Sequence, residues 1–367
     1  MHDTHTLNPL DDVQRVARTF AQGRAPEPAI CSAWTAHHLQ IVRSEQLGPW
    51  LYSSLKAHAG VGLAPEILAG LQQDYRSSAI RSMHRDAALR PLLAALNDTG
   101  IPLICLKGAY LGRFVYKDPA LRPMLDLDLL VREEHFEECG RELERLGSRL
   151  SVELDPDEER LLKLPRVYGC SGPPPEFIDL HRCVRSMGYY ELRSDIVWDN
   201  AVEGDLYGGR VFYLSPELNL IHLALHTLNH GGDLRDWLDL VLLLHTVNLN
   251  WDRLIALARS LGAMRPLFWI FRELGEKWET PAPTYVSTAL ASYVPRWLED
   301  RVIRSRFAYF WRVVARIEHV QGWGNRARYL LAKLTAPAAD PDTTVIGRWT
   351  DYLRSKVILF LQLWRRG

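Results

Sequence analysis

The ten residues "RPMLDLDLLV" at 122–131 constrain this chain most, because they set Asp126 and Asp128 one residue apart inside an otherwise apolar run. Alternation along a strand sends residues i and i+2 to the same face. Leu125, Leu127, Leu129 and Val131 are therefore expected to fill a core, while both carboxylates emerge together on the opposite side. Two anions held that close repel each other unless a cation sits between them. The segment thus predicts a strand with one buried face and one face built for a positive ion.

The surrounding pattern predicts where that strand sits. Apolar residues at three- and four-residue steps over 33–58 and 64–100 predict helices, with Pro65 and Glu66 suited to a helix start and Gly100 to a stop. The period then changes: "IPLICL" (101–106) reads as a short buried strand, and "KGAYLGRFVY" turns through Gly108 into a helix. The Asp126 strand precedes a helix that ends at Gly147, and "PPPEFIDLHRCV" supplies a further strand. On it Phe177, Asp179 and His181 share one face, Ile178 and Leu180 the other. A turn at "YGGR" follows, and Ser215 as N-cap with Pro216 and Glu217 behind it opens a helical remainder. The expected fold class is α+β, a small mixed β-sheet between helical arms. The expected divisions are an N-terminal helical arm at 1–100, an α/β core at 101–213, a helical part at 214–335 and a basic, aromatic helix at 336–367, with a break near 335–344.

Composition narrows the class. With 47% hydrophobic and 24% charged residues, the 367-residue chain can bury a sizeable core. Five scattered cysteines, never in CxxC spacing, point away from a disulfide framework or zinc ribbon. The first residues lack the features of a secretion signal, and no apolar run approaches the ~18–20 residues that span a bilayer. A cytoplasmic location is expected. Net charge is zero, but from Arg301 onward 13 Lys and Arg stand against 4 Asp and Glu. That surplus suits an anionic partner or, equally, a solvated helical face packed near the acidic remainder.

Two strand carboxylates at i and i+2, with a third on a neighbouring strand, make a cradle for hard divalent ions. Asp126, Asp128 and Asp179 are the candidate metal ligands and catalytic residues, for Mg²⁺ or for Mn²⁺ in its place. Upstream, Lys107 and Gly108 close a strand and open a helix, where backbone and a point charge can meet phosphate. These parts together suit transfer of a nucleotidyl group from a nucleoside triphosphate.

The same residues carry a resemblance. "LKGAYLGRFVYKDPALRPMLDLDLLV", then "IDLHR", then "LIHLALHTLNHGGDLRDWLDLVLLL" resemble the uncharacterised nucleotidyltransferase family of the polymerase-beta-like superfamily, over about residues 30 to 280. The positions similar to the family are Lys107, Gly108, Tyr116, Arg122, Asp126, Asp128, Asp179, His181, His222, His226, His230 and Asp239. The resemblance implies a twisted mixed sheet with helices packed on it, and two-metal transfer of a nucleoside monophosphate with loss of pyrophosphate. The chain departs from the usual Gly-Ser after the first strand, having Gly108-Ala109, so no serine hydroxyl is available there for the triphosphate.

Several roles stay open at this level. His222, His226 and His230 are four apart and stack along one helix face. They can line a substrate cleft with Tyr116, His181 and Asp239, or be satisfied interior residues. Zinc is poorly supported, since no HExxH glutamate or cysteine pair accompanies them. Arg122 suits a phosphate, the carboxylate pair or a structural ion pair. Tyr116 fits packing better than a nucleobase platform. The acceptor is a hydroxyl or phosphate of a small molecule, peptide or protein, as in natural-product tailoring. RNA modification by a toxin-like enzyme using the basic aromatic tail, a DxD glycosyltransferase using a sugar nucleotide, and a silent binding module are the competing classes.

Overall fold

The computed structural model describes residues 8–58, 61–151, 165–170, 176–186, 190–230 and 232–292, without the side chains of 185–191 and 229–231. Two compact units divide the chain: Met1–Met187 with Glu191–Val294, and Gly188–Tyr190 with Pro295–Gly367. The sheet and all described helices belong to the first. The predicted break near 335–344, the basic surplus after Arg301 and the 336–367 helix lie outside the described residues.

Five helices come first, Pro9–Ala21, Pro28–Ser32, Ala36–Ser44, Gly48–Ala57 and the 34-residue Pro65–Asp98. The helical pattern of 33–58 is split in two because Gln46 takes a left-handed backbone (φ 56°) just before Gly48 and Pro49 begin the next helix. The long helix stops where expected: Gly100 follows it with φ 77°, a conformation glycine adopts without a Cβ clash.

The mixed sheet has seven strands. Five are β1 (Ile104–Cys105), β2 (Asp126–Leu130), β3 (Arg149–Leu150), β4 (Arg166–Cys170) and β5 (Glu176–His181); a hairpin of Ala201–Leu206 and Gly209–Leu214 adds two. Their order is β3, β4, β5, β2, β1, 209–214, 201–206. β2 runs parallel to β5 and antiparallel to β1, which runs parallel to 209–214. The hairpin turns through Tyr207 and Gly208, both at positive φ, the two-residue geometry that matches strand twist. The strand predicted over 101–106 is shorter than its apolar run, although Phe212 N–H still donates to Leu103 O at 2.7 Å.

Leu127, Leu129, Val131, Ile178 and Leu180 are all fully buried. Each contributes roughly 1.5–3 kcal/mol, which offsets the cost of holding carboxylates on the other face. Leu125 departs from the expected core stripe: it precedes β2 and is 68% exposed. The Pro65–Asp98 and Phe136–Arg145 helices pack against the sheet. Helices Pro216–His230, Leu234–Thr246, Trp251–Ser260, Met264–Trp278 and Thr284–Ala291 complete the unit. Ser215 caps the first of these, its hydroxyl accepting from Leu218 N–H at 3.4 Å. No helix of the described residues is long and apolar enough to cross a membrane.

Candidate active site

The parallel register of β2 and β5 sets Asp128 directly opposite Asp179 and Asp126 opposite Phe177. Directly paired residues share a face, and so do residues two apart, so Asp126, Asp128, Asp179 and His181 gather on one side of the sheet. Asp128 Oδ1 accepts from Lys107 Nζ at 2.9 Å and lies 3.0 Å from His181 Nε2. Lys107 reaches it from a strained left-handed backbone, φ 42°, that ends β1 and starts the Gly108–Tyr110 helix, which continues as a π-helix through Val115.

The three carboxylates are not equivalent. Burial alone would raise Asp128, but the His181 hydrogen bond and the Lys107 charge outweigh it and hold the group well below the usual carboxylate range. Asp179 is pushed up to about 6 by burial, then by the charges of Asp126 and Asp128, with His181 and Lys107 opposing. Asp126 is also raised, by burial and then by Asp128. The row therefore holds more negative charge than Lys107 and His181 neutralise.

Asp128, Asp179 and His181 each offer a ligand atom, and the three atoms lie within 4.8 Å of one another. Two carboxylate oxygens and an imidazole nitrogen fit a divalent cation. The oxygens suit Mg²⁺, and the nitrogen is equally compatible with Mn²⁺. Asp126, which the sequence reading grouped with the other two aspartates, lies one step along β2 on the same face and lines the adjoining cleft.

That cleft, about 150 Å³, is bordered by Lys107, Asp126, Asp128, His226, Asp236 and Asp239 among others. It brings the sheet together with the 216–230 and 234–246 helices. Asp236, buried there, is pushed up to about 6 by burial and then by Asp239, with Arg235 opposing.

Other predicted residues have different surroundings. Gly108 is required by close packing: a Cβ there would lie 2.8 Å from Arg122 Nη1 and from Met124 Cγ. Arg122 grips Asp239 in a fork, Nε to Oδ1 at 3.0 Å and Nη2 to Oδ2 at 2.7 Å. Tyr116 Oη donates to the same Asp239 Oδ1 at 2.7 Å, and all three side chains are buried. Of the readings open for Arg122, the structural ion pair is the one these contacts display. His222 is buried, its Nδ1 has no hydrogen-bond partner among the described residues, and burial and the Lys107 charge lower it to about 3. It is neutral at pH 7. His226 borders the cleft, and the His230 side chain is outside the described set.

Sequence reasoning missed a second buried ion pair. Arg85 Nε donates to Glu176 Oε2 at 2.6 Å and Nη2 to Met124 O at 2.6 Å, so one guanidinium ties the entrance of β2 to the start of β5. A signal was present: Arg85 falls on the same helix stripe as Leu71, Ser78 and Leu92, seven apart, where a charge requires a buried partner.

A mixed sheet that carries a carboxylate row beside a lysine-glycine bend is the frame of this candidate site. The sequence profile of the uncharacterised nucleotidyltransferases matches residues 33–275, and the chain belongs to that family and is a nucleotidyltransferase. Matching solved structures include the solution structure of the antibiotic-resistance factor ANT(2'')-Ia, 16% identical, with a TM-score of 0.35 over 49% of this chain and 92% of that one. No curated protein sequence matches the chain.

Proposed function

We propose that the enzyme moves a nucleoside monophosphate group from a nucleoside triphosphate to a hydroxyl or phosphate of a small molecule, peptide or protein. Mg²⁺ or Mn²⁺ would be held by Asp128 and Asp179 with His181, and Asp126 would add charge beside it. The observation that carries this reading is the Asp128–Asp179 register, with Lys107 bound to Asp128 Oδ1. When bound, the ion neutralises phosphate charge and orients an in-line displacement.

The chain's own groups supply the rest. Lys107, fixed on Asp128 and open to the cleft, faces donor phosphate with a point charge. Asp126 and His226, both on the wall of the cleft, are the candidates to take the proton of an acceptor hydroxyl. His222 does not serve, since it is buried and held near 3. The acceptor oxygen bonds to the α-phosphorus as the bond to pyrophosphate breaks. Only β1 precedes the carboxylate strand among the described residues, which argues against the larger nucleotide-binding half of a glycosyltransferase.

Each labelled nucleoside triphosphate, incubated with Mg²⁺ or Mn²⁺ and host extract, tests the reading. Transfer of the α-phosphate label with release of pyrophosphate is expected. Label that moves only from a sugar nucleotide would replace it.

A further inference from the structure

A second opening adjoins the cleft that contains the acidic row. A groove of about 550 Å³ runs beside the entrances of β2 and β5, bordered by Arg43, Arg81, Leu125 and Phe177. It shares Pro123, Met124 and Leu125 with the cleft that contains Lys107 and Asp126, so this short segment alone forms the lip between them. Its volume is in the ligand-sized range of roughly 300–1,000 Å³.

Two features of its wall point to a ligand. Leu125 is 68% and Phe177 37% exposed, large apolar side chains left open beside carboxylates. Phe177 is opposite Asp126 in register and two residues before Asp179 on the same face, so anything lying on its ring is carried toward the reacting row. The second feature is charge. Arg43 is held by Asp74 at 3.0 Å and Arg85 by Glu176 at 2.6 Å. Arg81 is exposed, and among the described residues its charge acts on Asp74 without a salt bridge to it.

We infer that this groove is the acceptor subsite, and that it takes a small molecule with an aromatic or apolar body and an anionic group, a carboxylate or phosphate, set against Arg81. The inference rests on the transferase reading above. With donor phosphates at Lys107, an acceptor lying on Phe177 reaches the row across the shared 123–125 lip, and in-line displacement then requires its hydroxyl to enter opposite the leaving pyrophosphate. The acceptor O–P bond forms while the bond to pyrophosphate breaks, and the hydroxyl proton passes to a carboxylate of the row. Cationic acceptors are disfavoured by Arg81.

Four probes with one phenol ring and hydroxyl test this: 4-hydroxyphenylacetate and 4-hydroxybenzylphosphonate (anionic), 2-(4-hydroxyphenyl)ethanol (neutral) and tyramine (cationic). Binding to the full-length Asp128→Asn protein, read by calorimetry or ligand-observed NMR, is independent of turnover. An anionic probe should bind at least about tenfold more tightly than tyramine, and Arg81→Glu should remove about that factor, the scale of one charge-assisted hydrogen bond. Phe177→Ala should weaken all probes alike. Both substitutions are at exposed side chains, and melting temperature checks the fold. Equal binding of the charged and neutral probes, binding unmoved by Arg81→Glu, or no binding at millimolar concentration would overturn the inference. Binding that follows Arg81, with no nucleotidyl label ever reaching an acceptor in the wild-type protein, would overturn the transferase reading instead.

Discussion

Arg122 and Asp239 form a buried two-pronged ion pair, with the carboxylate only 1% exposed and Tyr116 donating to it as well. The pair ties the segment entering β2 to the 234–246 helix, and so sets the depth of the cleft between them.

Removing one charge of that pair strands the other. Asp239→Asn should cost about 3–5 kcal/mol of stability, the scale of a broken buried ion pair. Tyr116→Phe, losing one hydrogen bond to a charged group, should cost about 1.5–3 kcal/mol. Chemical denaturation measures both. An Asp239→Asn protein as stable as wild type would mean that the fork carries no structural weight.

The Arg85–Glu176 pair, 7% and 3% exposed, tests the clamp on the two carboxylate strands. Arg85→Met should destabilise by about 3 kcal/mol or more, because Glu176 is left buried and unpaired. Adding Glu176→Leu should recover much of that loss, since it removes the orphaned charge. The double variant should nevertheless bind Mn²⁺ more weakly than wild type, by an electron-resonance titration, because Met124 and β5 are no longer held together. Metal affinity equal to wild type would remove the positioning role.

Asp236 predicts a pH signature. Its folded carboxyl keeps a proton up to about 6 against an ordinary 3.8, so the stability it contributes is fully present below 3.8 and lost as pH rises through 6. Asparagine never ionises. Asp236→Asn should therefore match wild type near pH 4 and exceed it by about 1–3 kcal/mol above pH 7. The groups facing it, Asp239, Asp233, Arg235 and Arg122, are unchanged in the comparison. A difference that stays constant over the whole range would show that Asp236 is not the titrating group.

Asp128→Asn removes a candidate metal ligand and almost no volume. Nucleotidyl transfer should fall by about 10²–10⁴-fold, several kcal/mol of transition-state stabilisation, with Mn²⁺ affinity falling in parallel. Folding should also be weakened, because Lys107 and His181 lose a buried anionic partner; thermal melting measures that loss, and transfer is compared below the variant's melting temperature. Undiminished transfer would remove Asp128 from the site.

Alternation in "LDLDLLV" was enough to foresee a strand with leucines inward and aspartates outward, because side-chain direction on a strand is a local property. The Gly100 stop, the Ser215 cap and the helical flanks were local in the same way. Leu125 was misplaced because a strand's end depends on its neighbours, and here pairing begins at Asp126. The opposition of Asp128 to Asp179 needed the register of two strands about fifty residues apart, which no local pattern contains. Burial decided the rest: Arg122 and Tyr116 turned inward to Asp239, His222 lost its charge, and Arg85 found Glu176. A sequence specifies which groups can ionise and which face of an element they take. Partner and protonation follow from desolvation and Coulomb interaction, which exist only once distant segments have packed.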